Sequence, residues 1–365
     1  MNVTFLIGNG FDINLGLDTS YSAFYNKLIK KYPNPAKEYD KDNLPMLMEI
    51  VNSINDDKSK PTKEKLWSDF EMGLGLFTQK ITVDEIDEFN NARLQLKEDL
   101  AEYLIEENKK LTLISNKEDL LNAFIYSIFN FALELNPKDK NTISNRQKTE
   151  ESVSYNVITF NYTNSFETVM KKSGISVPLS IGSHIINKTT YSDTFRKIIH
   201  IHGTYDSRMI TGLNDKSQIA NPELRDNEDL IHTFIKPQIN SDCGELVDQE
   251  TLDLLNRSSI FVVFGMSYGA TDKMWWRKIC DRMLNDGSAY LILFEISQKC
   301  QKIHLENEYK IKNEIRNKFF DGLDLNDDQK KKIAQRILIT FNSPKMFKFA
   351  EPKKDEQEKK ELATV

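Results

Sequence analysis

Residues 2–7 (NVTFLI) form a short, partly β-branched apolar run that ends in Gly8-Asn9-Gly10, the pattern of a buried strand entering a tight turn. Thr19 or Ser20 is positioned to cap a helix running to about Lys31, where Tyr-Pro stops it. From about 35 to 140 the apolar spacing is helical and strand signals are few. Asp84 to Lys110 carries Ile86, Phe89, Leu94, Leu96 and Leu100 among many charges, and Lys117 to Leu135 is rich in Phe, Leu and Ile. Residues 136–153 are polar and aperiodic, which predicts a surface loop.

Strand character returns at 157–160 (VITF), followed by Asn-Tyr-Thr-Asn and a helix carrying Phe166, Val169 and Met170. Residues 196–203 (RKIIHIHG), 260–265 (IFVVFG), 289–294 (AYLILF) and 336–341 (RILITF) read as further strands. Helices are expected around Asp272–Leu284 and from about Gln298. Alternation of strands with helices predicts an α/β fold with a mostly parallel sheet covered on both faces. Continuous runs such as FVVF suit strands buried on both sides. The expected organisation is a Rossmann-like nucleotide-binding domain from residues 1–34 and 155–345, a large helical insertion at 35–154, and a charged, disordered tail at 346–365. No internal repeat is present.

Four polar clusters each follow directly on a strand: Gly8-Asn9-Gly10-Phe11-Asp12, Asn161-Tyr162-Thr163, His202-Gly203 and Gly265-Met266-Ser267. In an open parallel sheet, ligands bind in the crevice beyond the carboxyl ends of the strands, so the four clusters define one expected site. Gly8 and Gly10 would let the backbone turn sharply and approach a phosphate or ribose, and the following helix would aim its N–H groups at an anion. The third glycine of G-x-G-x-x-G is missing, since Ile13 follows Asp12, which disfavours hydride transfer. His200 and His202 are two apart on a strand and would point to the same side. No third ligand accompanies them, so no metal is expected. His200 reads as a core histidine, and His202, at the strand end, suits a general base. Thr271-Asp272 reads as a helix N-cap region before Trp275 and Trp276, which with Trp67 read as core residues. Asp69 and Glu71 could face the crevice.

Charge and cysteine content narrow the setting. The formal net charge of −6 over 365 residues argues against a broad nucleic-acid surface, though a local basic patch is compatible with it. The three cysteines, Cys243, Cys280 and Cys300, include no C-x-x-C pair, so neither a zinc ribbon nor a disulfide framework is expected. Neither a signal peptide nor a membrane-spanning run is expected, which makes the cytoplasm the expected location.

LIGNGFDINLGLDTSYSAFY at the start, LWSDFE, ITFNYTNSFE, IHIHGTYD and FGMSYGATD together resemble the AbiH family of bacterial phage abortive-infection proteins, in blocks across residues 3–272. More distantly, the order of motifs is similar to the sirtuin superfamily, in which a Rossmann-like domain binds NAD and an Asn and a His carry the chemistry. That resemblance implies catalytic roles for Asn161 and His202 and cofactor contacts for Gly8, Asn9, Gly10, Phe11, Asp12, Thr163, Gly265 and Ser267. Two departures matter: Thr163 replaces the usual acidic residue, and the cysteines of the deacylase zinc ribbon are missing. The implied activity is therefore cleavage of NAD at the nicotinamide–ribose bond in antiphage defence, without a metal. Asp12 could hydrogen-bond a ribose or stabilise positive charge. A non-catalytic nucleotide-sensing module of a defence system is the alternative, and a protein-interaction scaffold on the helical insertion a third reading. Expected partners are NAD or a related nucleotide, a phage component or partner defence protein, and a second copy of the chain. Membrane and nucleic acid are not expected.

Overall fold

In the computed structural model, which describes residues 1–32, 45–57, 69–300 and 306–351, the first apolar run becomes the central strand of a seven-stranded sheet. This strand, β1 (Asn2–Ile7), pairs in parallel with β2 (Ser154–Thr159) on one side and β5 (Ser258–Phe264) on the other. Beyond β2 lie β4 (Thr189–His200), also parallel, and β3 (Leu179–Ile186), antiparallel to β4. Beyond β5 lie β6 (Tyr290–Glu295) and β7 (Ile337–Phe341), both parallel. The order is β3-β4-β2-β1-β5-β6-β7.

Because side chains alternate across a strand, each central strand feeds two cores. Val3, Phe5, Ile7 and Val262 face one; Leu6, Phe261 and Val263 face the other. The first face is covered by the helices Lys117–Phe129 and Ser165–Ser173 through Leu120, Phe124, Phe166 and Val169. The second is covered by the helix Lys273–Asn285, with Trp275 and Trp276, and by Phe319 and Phe320 of the helix Glu306–Phe320. Chain leaving β1 re-enters the sheet from the first face, whereas chain leaving β5 crosses the second. The connections diverge between β1 and β5, and a crevice opens there beyond the strand ends.

A third core sits over that crevice. It unites Phe24 of the helix Tyr21–Lys31, Ile50 of Pro45–Asp57, Phe70 and Leu74 of Phe70–Phe77, and Phe89, Leu96 and Leu100 of Ile86–Asn108 with Leu213, Leu230 and Phe234. Ser20 caps the first of these helices by accepting from the Ala23 N–H. The stretch between β1 and β2 is helical as expected, but it serves two cores: its part up to Asn108 roofs the crevice, and its part from Lys117 lies on the sheet.

Three expectations need correction. Residues 137–148 are a helix, Pro137–Lys148, rather than a loop. Asn136 accepts from the Asp139 N–H and Pro137 opens the first turn, yet only Ile143 is buried, so capping identifies this helix where periodicity cannot. Strand β4 begins at Thr189, not at 196, and pairs with β3, which the sequence reading missed. Both segments interrupt their apolar residues with polar ones, and the hairpin lies at a sheet edge, so no continuous apolar run marks them. The sheet domain also extends past residue 345: Met346, Phe347 and Phe349 are buried in the first core. The charged tail from 353, like Trp67, lies outside the described residues.

Phe347 is fully buried, its ring 4.8 Å from that of Phe264, and its N–H donates to Ser127 Oγ at 2.7 Å. Phe347→Ala is expected to lower unfolding free energy by about 3–5 kcal/mol, read as a reduced urea midpoint with unchanged slope. A loss under about 1 kcal/mol would show that this segment does not belong to the core.

Candidate functional site

Strands β4, β2, β1 and β5 are neighbours and parallel, so their carboxyl ends open onto one cleft of about 970 Å³. Its floor begins where two backbone turns cross. Gly8 N–H donates to Phe264 O at 3.0 Å and Gly10 N–H to Gly265 O at 2.9 Å. A Cβ on Gly265, whose φ is +69°, would lie 2.6 Å from Gly10 Cα, and one on Gly10 would overlap Gly265 Cα in return. These glycines therefore allow turn-on-turn packing, and the space their missing Cβ atoms leave faces protein backbone rather than a ligand phosphate. The helix that follows, Gly10–Asn14, has only five residues, and its Phe11 and Ile13 amides donate to Gly8 O and Asn9 O. The expected anion site at its start is not formed by those groups.

The crossing sets Asp12 under the cleft. Its carboxylate accepts from Thr163 Oγ1 at 2.7 Å and from the Ser165 hydroxyl. Burial is the largest influence on Asp12 and raises its pKa from 3.8 to about 6, against the lowering effect of the Ser165, Thr163 and Asn161 side chains. Asn161 lies 7% exposed beside it, and its buried side-chain carbonyl has no protein partner. A buried acceptor without a donor is rare and costly, and a ligand or water donor would satisfy it.

His202, just past the end of β4, lines the same cleft. Its Nε2 is 3.4 Å from Asp272 Oδ1 and 3.5 Å from Lys236 Nζ, between a proton acceptor and a proton donor. Phe160 and Tyr162 pack against its ring, with centroids at 5.7 and 6.1 Å. Lys236 is 2% exposed and donates to Glu71 Oε2 at 2.7 Å; Glu71 Oε1 accepts from Tyr162 Oη at 2.9 Å and Gly212 N–H at 3.1 Å. Glu71 comes from the roof, Tyr162 from the end of β2, and Lys236 from the helix Lys236–Asp242, so one buried ion pair ties roof to floor. Asp69 caps the helix Phe70–Phe77 through Oδ1, and its Oδ2 accepts from Thr271 Oγ1 at 3.3 Å. Asp272 occupies the N-cap position of Lys273–Asn285 without capping it, its carboxylate being turned to His202.

The cleft is thus acidic: Asp12, Asp69, Glu71 and Asp272 line it, against buried Lys236 alongside and Lys318 at the lining. Such a wall attracts developing positive charge. No group of three or more His, Cys, Asp or Glu suited to hold a metal occurs among the described residues.

The structure brings Gly8, Asn9, Gly10, Asp12, Asn161, Thr163, His202, Gly265 and Ser267 to the cleft. Their side chains differ in availability. Asn9 is held by Thr19, donating to its carbonyl at 3.1 Å and accepting from its hydroxyl, and Thr163 is turned to Asp12. Phe11 is not at the cleft: its ring is buried against Phe166 and Phe347. The two histidines do not share a side. β4 ends at His200, which is half-buried and faces Glu167 Oε1 at 2.6 Å, whereas His202 has left the strand. His200 is thus hydrogen-bonded to Glu167 rather than packed in the core. Lys236 and Ser165 are site residues that the sequence does not point to, whereas Tyr162 belongs to an expected cluster. Ser165 adjoins a recognisable motif, but Lys236 lies in a helical stretch that carries no sequence signal of burial.

Burial first, and then the Glu71 charge, raises the Asp69 pKa from 3.8 to about 6. A folded-state pKa above the unfolded one means that the folded protein holds the proton more tightly, so this group's contribution falls as pH rises from 3.8 through about 6. Asp69→Asn keeps a good cap acceptor and removes the charge. It is expected to stabilise the protein at pH 7 by up to about 3 kcal/mol and to flatten the loss of stability between those two pKa values, both read from urea unfolding across pH. An unchanged pH slope would contradict the desolvated placement of Asp69.

No helix among the described residues is long and apolar enough to cross a membrane. No curated protein matches the chain. The family described as bacteriophage abortive infection AbiH matches residues 4–294, which run from within β1 to within β6 and include every residue of the cleft named above except Lys318; the chain belongs to the AbiH family.

Proposed function

We propose that this protein acts in phage defence by hydrolysing NAD at the nicotinamide–ribose bond, with Asn161 and His202 as the catalytic pair. The observation that carries the reading is their meeting in one acidic cleft: Asn161 offers an unpartnered buried carbonyl, and His202 Nε2 sits between Asp272 and Lys236. The order of the motifs along the chain, similar to that of sirtuin-like NAD-binding proteins, supports the same choice of substrate. A volume of about 970 Å³ suits a ligand of dinucleotide size.

The chemistry balances with these groups. The bond joins ribose C1′ to a cationic pyridinium nitrogen, so nicotinamide departs as a neutral molecule with the bonding pair and leaves an oxocarbenium-like sugar. The carboxyl groups of Asp12, Asp69, Glu71 and Asp272 along the wall favour that charge. The Asn161 carbonyl accepts from the attacking water and orients it. As the water oxygen bonds to C1′, its proton passes to the His202 imidazole and from there towards Asp272 or solvent. Products are nicotinamide, ADP-ribose and one proton. The pyrophosphate needs a cation, and Lys318 at the cleft lining supplies one.

A nucleotide sensor without turnover is favoured by one observation, the commitment of the Thr163 hydroxyl to Asp12 instead of to the cleft. The two readings part on substitution. His202→Ala and Asn161→Ala are each expected to lower nicotinamide release by about 10²–10⁴-fold with the circular dichroism spectrum retained. His200→Ala, which removes a part-exposed contact with Glu167, is expected to leave turnover within about threefold and stability within about 1 kcal/mol. Full activity of His202→Ala removes it as the base. Calorimetric NAD binding by a wild type that never releases nicotinamide, phage components included, establishes the sensor.

A further inference from the structure

A second, smaller cavity of about 250 Å³ lies away from the strand ends, between the helices Ile86–Asn108 and Glu228–Phe234. Asn90, Arg93, Leu94 and Lys97 follow one another at helical spacing and present one face to it. Ile210 and Ile239 complete its apolar wall.

Arg93 is the unusual residue. It is 6% exposed, and among the described residues no carboxylate pairs with it. One terminal nitrogen donates to Asn90 Oδ1 at 2.7 Å and to Thr233 O at 3.1 Å, and the guanidinium stacks 4.1 Å from the Phe234 ring centroid. Its buried Nε has no acceptor at all. Burial alone pulls the group down to about 9, so it is still cationic at neutral pH. Lys97, beside it, is likewise lowered by burial and then by the Arg93 charge. Two neighbouring cations, one of them unpaired and carrying an idle donor, are costly unless an anion joins them.

We propose that this cavity binds a small organic anion, its phosphate or carboxylate head held by Arg93 and Lys97 and its apolar body lying against Leu94, Ile210 and Ile239. Arginine suits either head through paired N–H donors. The wall it shares with the larger cleft is one chain segment: Ile210 N–H donates to His202 O at 2.9 Å, Ile210 O accepts from Tyr162 Oη at 3.1 Å, and Gly212 N–H donates to Glu71. An anion in this cavity therefore stands back to back with His202 and Glu71, in the position of an effector.

Calorimetric titration of the full chain with phenyl phosphate, benzoate and inorganic phosphate tests the site. Saturable one-to-one binding of phenyl phosphate or benzoate is expected, at least tenfold tighter than inorganic phosphate; the tighter of the two organic probes identifies the head group. Arg93→Met is expected to weaken that binding at least tenfold. Leu94 is 55% exposed, so Leu94→Glu leaves the fold intact, sets a carboxylate at the cavity and should weaken binding equally. Asn161→Ala, in the other cleft, should not change it. The proposal is overturned if no probe binds saturably, if both cavity variants bind like wild type, if Asn161→Ala loses the binding, or if inorganic phosphate binds as tightly as the organic probes.

Discussion

The close crossing of two backbone turns, Gly8–Gly10 after β1 and Gly265 after β5, is the constraint from which the site follows. Each turn fills the space where the other would carry a side chain, and two main-chain hydrogen bonds join them, both donated by the first turn to carbonyls of the second. Only chain without Cβ atoms can approach so closely. The crossing lies at the point where the connections leave for opposite faces of the sheet, and it delivers Asp12 into contact with Thr163 and Ser165 from the end of β2. Strand pairing then carries Asn161 and His202 to the same opening.

What the crossing assembles is not a stable arrangement in itself. Asp12 and Asp69 are both buried far enough to raise their pKa values to about 6, so each is ionised at neutral pH against a cost in folding free energy. The buried Glu71–Lys236 pair is satisfied by Tyr162 and Gly212, which is the condition under which such a pair is tolerated. Asp272 forgoes capping its own helix. Clustered departures from local stability rules mark functional sites, and here they fall in the cleft matched by the family.

Much of this was legible in the sequence, for physical reasons. Strands buried on both faces must be continuously apolar, so VITF, IFVVF and AYLILF announced themselves, and a ligand crevice follows from the strand ends of a parallel sheet. The polar hairpin β3–β4 and the helix Pro137–Lys148 bury little and left no such trace. The reading of His200 and His202 assumed an unbroken strand, but β4 stops at His200 and the alternation stops with it. The glycines signal close approach in the sequence, but the approaching group is another turn rather than a phosphate or ribose. Lys236 was invisible because its burial is created by Glu71, 165 residues earlier in the chain.

The central claim is that water attacks the ribose carbon of NAD in this cleft. It is tested most directly by incubating the purified chain with NAD in ¹⁸O-enriched water and analysing the products by mass spectrometry. The account predicts unlabelled nicotinamide and ADP-ribose carrying one ¹⁸O on the nicotinamide-proximal ribose. Unchanged NAD, or label on a phosphate of AMP from cleavage at the pyrophosphate, would contradict it.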